Sequence, residues 1–130
     1  MKPVGSLVDT SAWIDFFRGV ASIKELLTKL IVRDRVFTAG PVLFELLQGI
    51  RSSEERGEVK EALLSVNFLD ITPEDWEAAA LISRELRSQG KTIPMTDLLL
   101  AQLAKAHDLE IISLDPHFDQ IPGITHRRLM

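Results

Sequence analysis

Near its start the chain reads Val4-Gly5-Ser6-Leu7-Val8-Asp9-Thr10-Ser11-Ala12-Trp13, a short, mostly apolar run that stops on an acid. Two hydroxyl residues follow, and then Trp13, Ile14, Phe16 and Phe17 recur at helical spacing. Such a run reads as a buried parallel strand feeding directly into a helix. Asp9 then stands at the carboxyl end of the strand, the edge of an open α/β sheet at which ligands bind. The same position also suits a helix cap. Asp9 alone leaves both readings open, and the rest of the chain decides between them.

The pattern that follows alternates. Residues 11–18 form a short helix stopped by Gly19, and residues 22–31 form a second with Ile23, Leu26, Leu27 and Leu30 on one face. Residues 35–39 read as a strand ended by Gly40-Pro41, with Pro41 suited to the first turn of a helix running to about Arg51. A further helix covers 53–66, and a brief strand covers 68–71. Thr72-Pro73-Glu74-Asp75 is a strong helix start: a cap, a proline at the first position, acids in the first turn. That helix ends at Gly90. Met95 to His107 is a strongly apolar helix, 110–114 a strand, and 125–129 a last edge strand set off by Pro122-Gly123. Strands separated by helices require parallel pairing through crossovers. The expectation is an α/β fold of Rossmann-like type in three layers, a short and mostly parallel sheet flanked by helices. With 130 residues and no visible linker or repeat, 1–130 is expected to be a single domain.

Composition narrows the function. No apolar run approaches the ~20 residues that span a bilayer, and no secretory signal is visible, so a cytoplasmic protein without membrane association is expected. Cysteine is absent, which removes thiolate metal sites and disulfide scaffolds and suits the cytosol. The net charge of −4 weighs against simple phosphate-tracking nucleic-acid binding. It leaves a nuclease open, because acids gathered at a metal site lower net charge while Arg18, Lys24, Arg51, Arg127 or Arg128 can still meet phosphates.

Three further acids break their local pattern. Glu45 is the only charge in Val42-Leu43-Phe44-Glu45-Leu46-Leu47, beside the stripe of Leu43, Leu46, Leu47 and Ile50. Asp97 is the only charge between Lys91 and Lys105, at the start of a helix whose Leu98, Leu99 and Leu100 point to burial on most faces. A buried unpaired carboxylate is expensive, although a helix-start acid is favoured by the macrodipole. Asp115 follows Ile111-Ile112-Ser113-Leu114 and precedes Pro116. Each acid lies at a strand end or early in a following helix, places that converge on one sheet edge. Four carboxylates there repel one another unless a cation neutralises them, and all-oxygen ligation suits Mg²⁺ or Mn²⁺. The three histidines show no paired ligand spacing, and the alternation of Asp115, His117 and Asp119 reads as a polar turn. Glycine-rich phosphate loops and acyl-transfer elbows are missing.

At these residues the sequence resembles the PIN-domain ribonucleases, in particular the VapC-type toxins of bacterial and archaeal toxin–antitoxin pairs. The matching pieces are Val8-Asp9-Thr10-Ser11-Ala12-Trp13-Ile14-Asp15-Phe16-Phe17-Arg18-Gly19, Phe44-Glu45-Leu46-Leu47-Gln48-Gly49, Thr96-Asp97-Leu98-Leu99-Leu100-Ala101 and Ser113-Leu114-Asp115-Pro116-His117-Phe118, in the family's order. The resemblance implies a PIN-like fold and acidic metal-site roles for Asp9, Glu45, Asp97 and Asp115, with hydroxyl support from Thr10 and Ser113. It implies an RNA substrate, a homodimer, and a small VapB-like antitoxin whose tail covers the active site. Gln48-Gly49 departs from a frequent Arg-Gly, bearing on RNA contact or partner binding, and Leu98 from a frequent alanine, bearing on packing.

The expected activity is divalent-metal-dependent endoribonuclease chemistry, with Mg²⁺ or Mn²⁺ at the four acids activating water for in-line attack on phosphorus. Two rivals stand beside it. A phosphoryl-transfer enzyme using Asp9 as nucleophile is disfavoured, because the second acid such phosphatases carry two residues on is here Ser11. A non-catalytic partner-binding module would make the acids mere surface caps.

Overall fold

β1 (Gly5–Val8) is buried along its whole length and occupies the centre of a five-stranded sheet of order β3-β2-β1-β4-β5, parallel throughout. The computed structural model that establishes this describes residues 3–129. The remaining elements are α1 (Thr10–Phe17), α2 (Ala21–Val32), β2 (Val36–Ala39), α3 (Gly40–Gln48), α4 (Ser53–Leu64), β3 (Asn67–Leu69), α5 (Pro73–Ser88), α6 (Met95–His107), β4 (Leu109–Ser113), a 3-10 turn over Pro116–Gln120, and β5 (Thr125–Arg128). This is the α/β architecture, a short parallel sheet flanked by helices, that the sequence led us to expect.

The order carries the functional consequence. The chain leaves β1 toward β2 and β3, then crosses back to place β4 on the other side of β1. Right-handed crossovers in opposite directions put helices on opposite faces. Accordingly α1 packs on α2 and α3, α3 packs on α4, and α5 packs on α6. The direction reverses between β1 and β4, and the crevice outside their carboxyl ends is the expected ligand position. The core runs through Leu7, Val8, Trp13, Leu27, Leu99, Leu100, Leu103, Ile111 and Ile112, all withdrawn from solvent. Gly5 lets β2 approach: a Cβ there would lie 2.9 Å from the Arg35 carbonyl and against the Phe37 ring. Gly19 ends α1 with φ +78, a left-handed conformation that glycine adopts without strain.

Some boundaries differ from the expected ones. α3 stops at Gln48, before residue 51, with Gly49 as its cap. β3 ends at Leu69 because its neighbour, β2, ends at Ala39, and among the described residues Asp70 and Ile71 meet no other strand. Among the described residues no helix is long and apolar enough to cross a membrane.

Candidate metal centre

The β1–β4 register pairs Val8 with Ile112, so the next residues, Asp9 and Ser113, come side by side at the sheet's carboxyl edge. The Asp9 amide continues the ladder to the Ile112 carbonyl at 3.0 Å. Asp9 occupies the N-cap position of α1, yet its side chain makes no capping bond. Its Oδ2 instead accepts hydrogen bonds from Ser113 Oγ at 2.7 Å and Ser11 Oγ at 3.3 Å. Asp9 is 5% exposed. The geometry therefore disfavours the capping role that the sequence left open.

Ser113 joins this acid to the next. Its Oγ accepts from the Asp115 amide at 2.9 Å, while Ser11 Oγ accepts from the Leu114 amide at 3.1 Å. Asp115 caps the Pro116–Gln120 turn, accepting the His117 amide at its Oδ1 at 2.8 Å. Buried Phe118 anchors that turn, its ring edge-on to His126 at 5.6 Å between centroids. The His117 Nδ1 lies 2.9 Å from Asp97 Oδ2 and 3.1 Å from Asp115 Oδ1. Asp97 is the third residue of α6 and 7% exposed, flanked by buried Leu98, Leu99 and Leu100. Glu45, half-buried in α3, accepts from Thr10 Oγ1 at 3.1 Å.

Burial raises the Asp9 carboxyl above its ordinary range, against the hydrogen bond from Ser113, and the charge of Asp115 adds to the rise. Asp97 is raised to about 6, first by burial; the His117 hydrogen bond opposes the rise, while Asp9 and Asp115 reinforce it. Glu45 is raised by burial and by the charges of Asp9 and Asp115, against the Thr10 bond. His117 is raised chiefly by its hydrogen bond to Asp97. The charges of Asp9 and Asp115 thus act on both Asp97 and Glu45. Among the described residues no lysine or arginine forms an ion pair with any of them. Carboxylates crowded, desolvated and without a fixed cation fit a divalent ion, and atoms of Asp97, Asp115 and His117 lie within 4.8 Å of one another, close enough to share one.

His117 and Ser11 are the residues that sequence reasoning passed over. Assigning Asp115, His117 and Asp119 to a polar turn was right about the local structure, but only His117 of the last two turns toward the acids. Asp119 pairs instead with His126 at 2.8 Å and Arg128 at 3.3 Å. Of the basic candidates, Arg127 is paired with Glu110. Arg18 lines a cleft of about 300 Å³ beside Glu45, together with Ile14, Phe17, Gly49 and Ile50.

The family described as the PIN domain matches residues 6–124. The ribonuclease VapC11 of Mycobacterium tuberculosis is 30% identical over 125 residues, covering 92% of this chain and 93% of the relative. Ribonuclease VapC5 of the same organism is 28% identical over 127 residues, covering 93% and 90%. In fold, the chain resembles VapBC2 of Rickettsia felis bound to a promoter DNA fragment, with TM-score 0.83, 19% identity and coverage of 96% and 98%. DNA-bound VapBC of Salmonella typhimurium matches equally well, at TM-score 0.83, 21% identity and the same coverage.

Proposed function

The chain belongs to the PIN-domain family, and from that membership we propose that it is a metal-dependent endoribonuclease, the toxin of a VapBC-type pair. What supports the reading is that the charges of Asp9 and Asp115 act on both Asp97 and Glu45, while among the described residues no lysine or arginine forms an ion pair with any of the four. Asp9 and Asp97 are the principal metal ligands, Glu45 binds the ion or orients the attacking water, and Asp115 assists. Thr10 and Ser113 hold the Glu45 and Asp9 carboxylates through the hydrogen bonds described above. When bound, Mg²⁺ or Mn²⁺ supplies Lewis acidity for activating water and for neutralising charge on the phosphate.

The partners follow from the same reading: RNA as substrate, a small VapB-like antitoxin, and a second copy of the chain in a homodimer, all acting in the cytoplasm. Exposed Ile14 and Phe17 beside Arg18 and Glu45 offer an antitoxin segment apolar contact and one charge of each sign. The rival nucleophilic role for Asp9 stays disfavoured, because the residue two positions on, where such phosphatases carry a second acid, is Ser11, whose hydroxyl donates to Asp9 Oδ2.

The test is RNA cleavage by the purified chain with EDTA, with Mg²⁺ and with Mn²⁺, alongside Asp97→Asn. Chelation should abolish cleavage, either ion should restore it, and the variant should lose on the order of 100-fold or more. Full-rate cleavage in excess chelator, or by Asp97→Asn, overturns the mechanism. A protein that folds but never cleaves RNA and binds no divalent ion favours the partner-binding module.

A further inference from the structure

We propose that His117 is itself a ligand of the metal centre, a nitrogen donor that biases the site toward Mn²⁺ and later first-row ions over Mg²⁺. The inference rests on the four-acid reading above and extends its donor set beyond oxygen.

His117 Nδ1 stands 2.9 Å from Asp97 Oδ2 and 3.1 Å from Asp115 Oδ1. Ligand atoms on neighbouring corners of an octahedron with bonds of about 2.1 Å lie about 3.0 Å apart. The imidazole nitrogen is therefore already spaced from both carboxylates as an adjacent ligand, and the three atoms fall within 4.8 Å of one another. The placement is also held. The His117 amide donates to Asp115 Oδ1 at 2.8 Å, tying ring and carboxylate to one tight turn, and the next residue, Phe118, is buried. Asp115 keeps its second oxygen, and the half-buried imidazole leaves room on the solvent side for water or a phosphate oxygen.

The chemical consequence is selectivity. Mg²⁺ is bound through oxygen and gains little from an imidazole, whereas affinity of nitrogen sites for first-row ions rises from Mn²⁺ through Co²⁺. An acid-only centre would bind these ions with oxygen chemistry alone.

The test loads the purified chain with Mn²⁺ and records pulsed electron paramagnetic resonance, then measures Mn²⁺, Co²⁺ and Mg²⁺ affinities by calorimetry for wild type and His117→Gln. Wild type should show imidazole nitrogen coupling to Mn²⁺, lost in the variant. The variant should bind Mn²⁺ and Co²⁺ about tenfold more weakly or worse, with Mg²⁺ affinity within about threefold of wild type. Mn²⁺ bound without nitrogen coupling, or affinities for all three ions falling together, overturns the proposal and leaves His117 as a hydrogen-bond support for Asp97. If His117→Gln does not fold, the coupling in wild type decides alone. Failure of the underlying reading looks different: no divalent ion binds, or binding survives Asp97→Asn. Loss of binding in Asp97→Asn with no nitrogen coupling in wild type rejects only the assignment of His117.

Discussion

Ser113 does two things with one oxygen. It donates to Asp9 at 2.7 Å and accepts from the Asp115 amide at 2.9 Å, so it spaces two acids that belong to different strands' ends. It is fully buried. Ser113→Ala leaves nearly the same shape but removes both bonds, together with a 3.3 Å hydrogen bond to Ser11 Oγ. Cleavage should fall by roughly 10–100-fold through a misoriented Asp9, and stability by about 1–2 kcal/mol. Initial rates at saturating metal and a denaturant titration check this; wild-type rates in Ser113→Ala would remove the residue from the site. Much of the acid set is legible in sequence because an isolated charge in an apolar run demands a partner or a cleft. Glu45 is instructive. Its neighbour Phe44 is 67% exposed, so the apolar run around it is not buried throughout. The buried stripe of α3 is Val42 and Leu46, and Glu45 lies beside it one turn on from Val42. His117 was not legible. Its contact with Asp97 spans 20 positions and joins a helix start to a 3-10 turn, which no local period records.

At the scale of elements, α5 shows how local chemistry supports the site from a distance. Thr72 Oγ1 accepts from the Asp75 amide at 3.2 Å, and the Asp75 carboxylate accepts from the Thr72 amide at 3.0 Å, a reciprocal capping box. Asp75 Oδ1 also accepts from Gln102 at 3.3 Å, tying the start of α5 to α6, the helix that carries Asp97. Hydrogen bonding from the Thr72 amide holds the Asp75 carboxyl below its ordinary range. Its contribution is therefore present above the unfolded value and lost as pH falls through the folded one. Thr72→Ala should cost about 1 kcal/mol by urea denaturation near neutral pH while sparing RNA cleavage. A large loss of cleavage with stability intact would mean that α5 acts on the site directly. The cap was legible because Thr-Pro-Glu-Asp is a local signal. The end of β3 was not, because a strand stops where its neighbour stops, and that is decided by β2.

Taken whole, the molecule combines a well-buried parallel sheet with a cluster of acids that the fold alone does not neutralise. Trp13 is fully buried and stacks on Phe17, leaving Ile14 and Phe17 as the exposed apolar residues of α1. The electrostatic consequence is larger. Asp97 titrates near 6 when folded, against an ordinary value of 3.8, so the metal-free folded state holds more protons than the unfolded chain. Stability from this group is complete below about 4 and is lost as pH rises toward 6. His117, also raised, is lost from its own starting point of 6.5 upward, extending the decline through neutrality. Metal-free wild type should thus lose on the order of 1–3 kcal/mol between pH 4 and pH 7 relative to Asp97→Asn. The substitution removes one like charge and weakens the cause of the His117 shift. At pH 7 the metal-free variant should be as stable as wild type or more so, by on the order of 1 kcal/mol. Divalent metal should reverse the ranking, because only the intact site binds it well and binding to the folded state stabilises by mass action. If Asp97 were only a helix-start acid, the substitution would cost a few tenths of a kcal/mol. The pH slope and the metal shift would then match wild type. Thermal melts of both proteins at pH 4, 5.5 and 7, with EDTA and with Mg²⁺, separate the two cases.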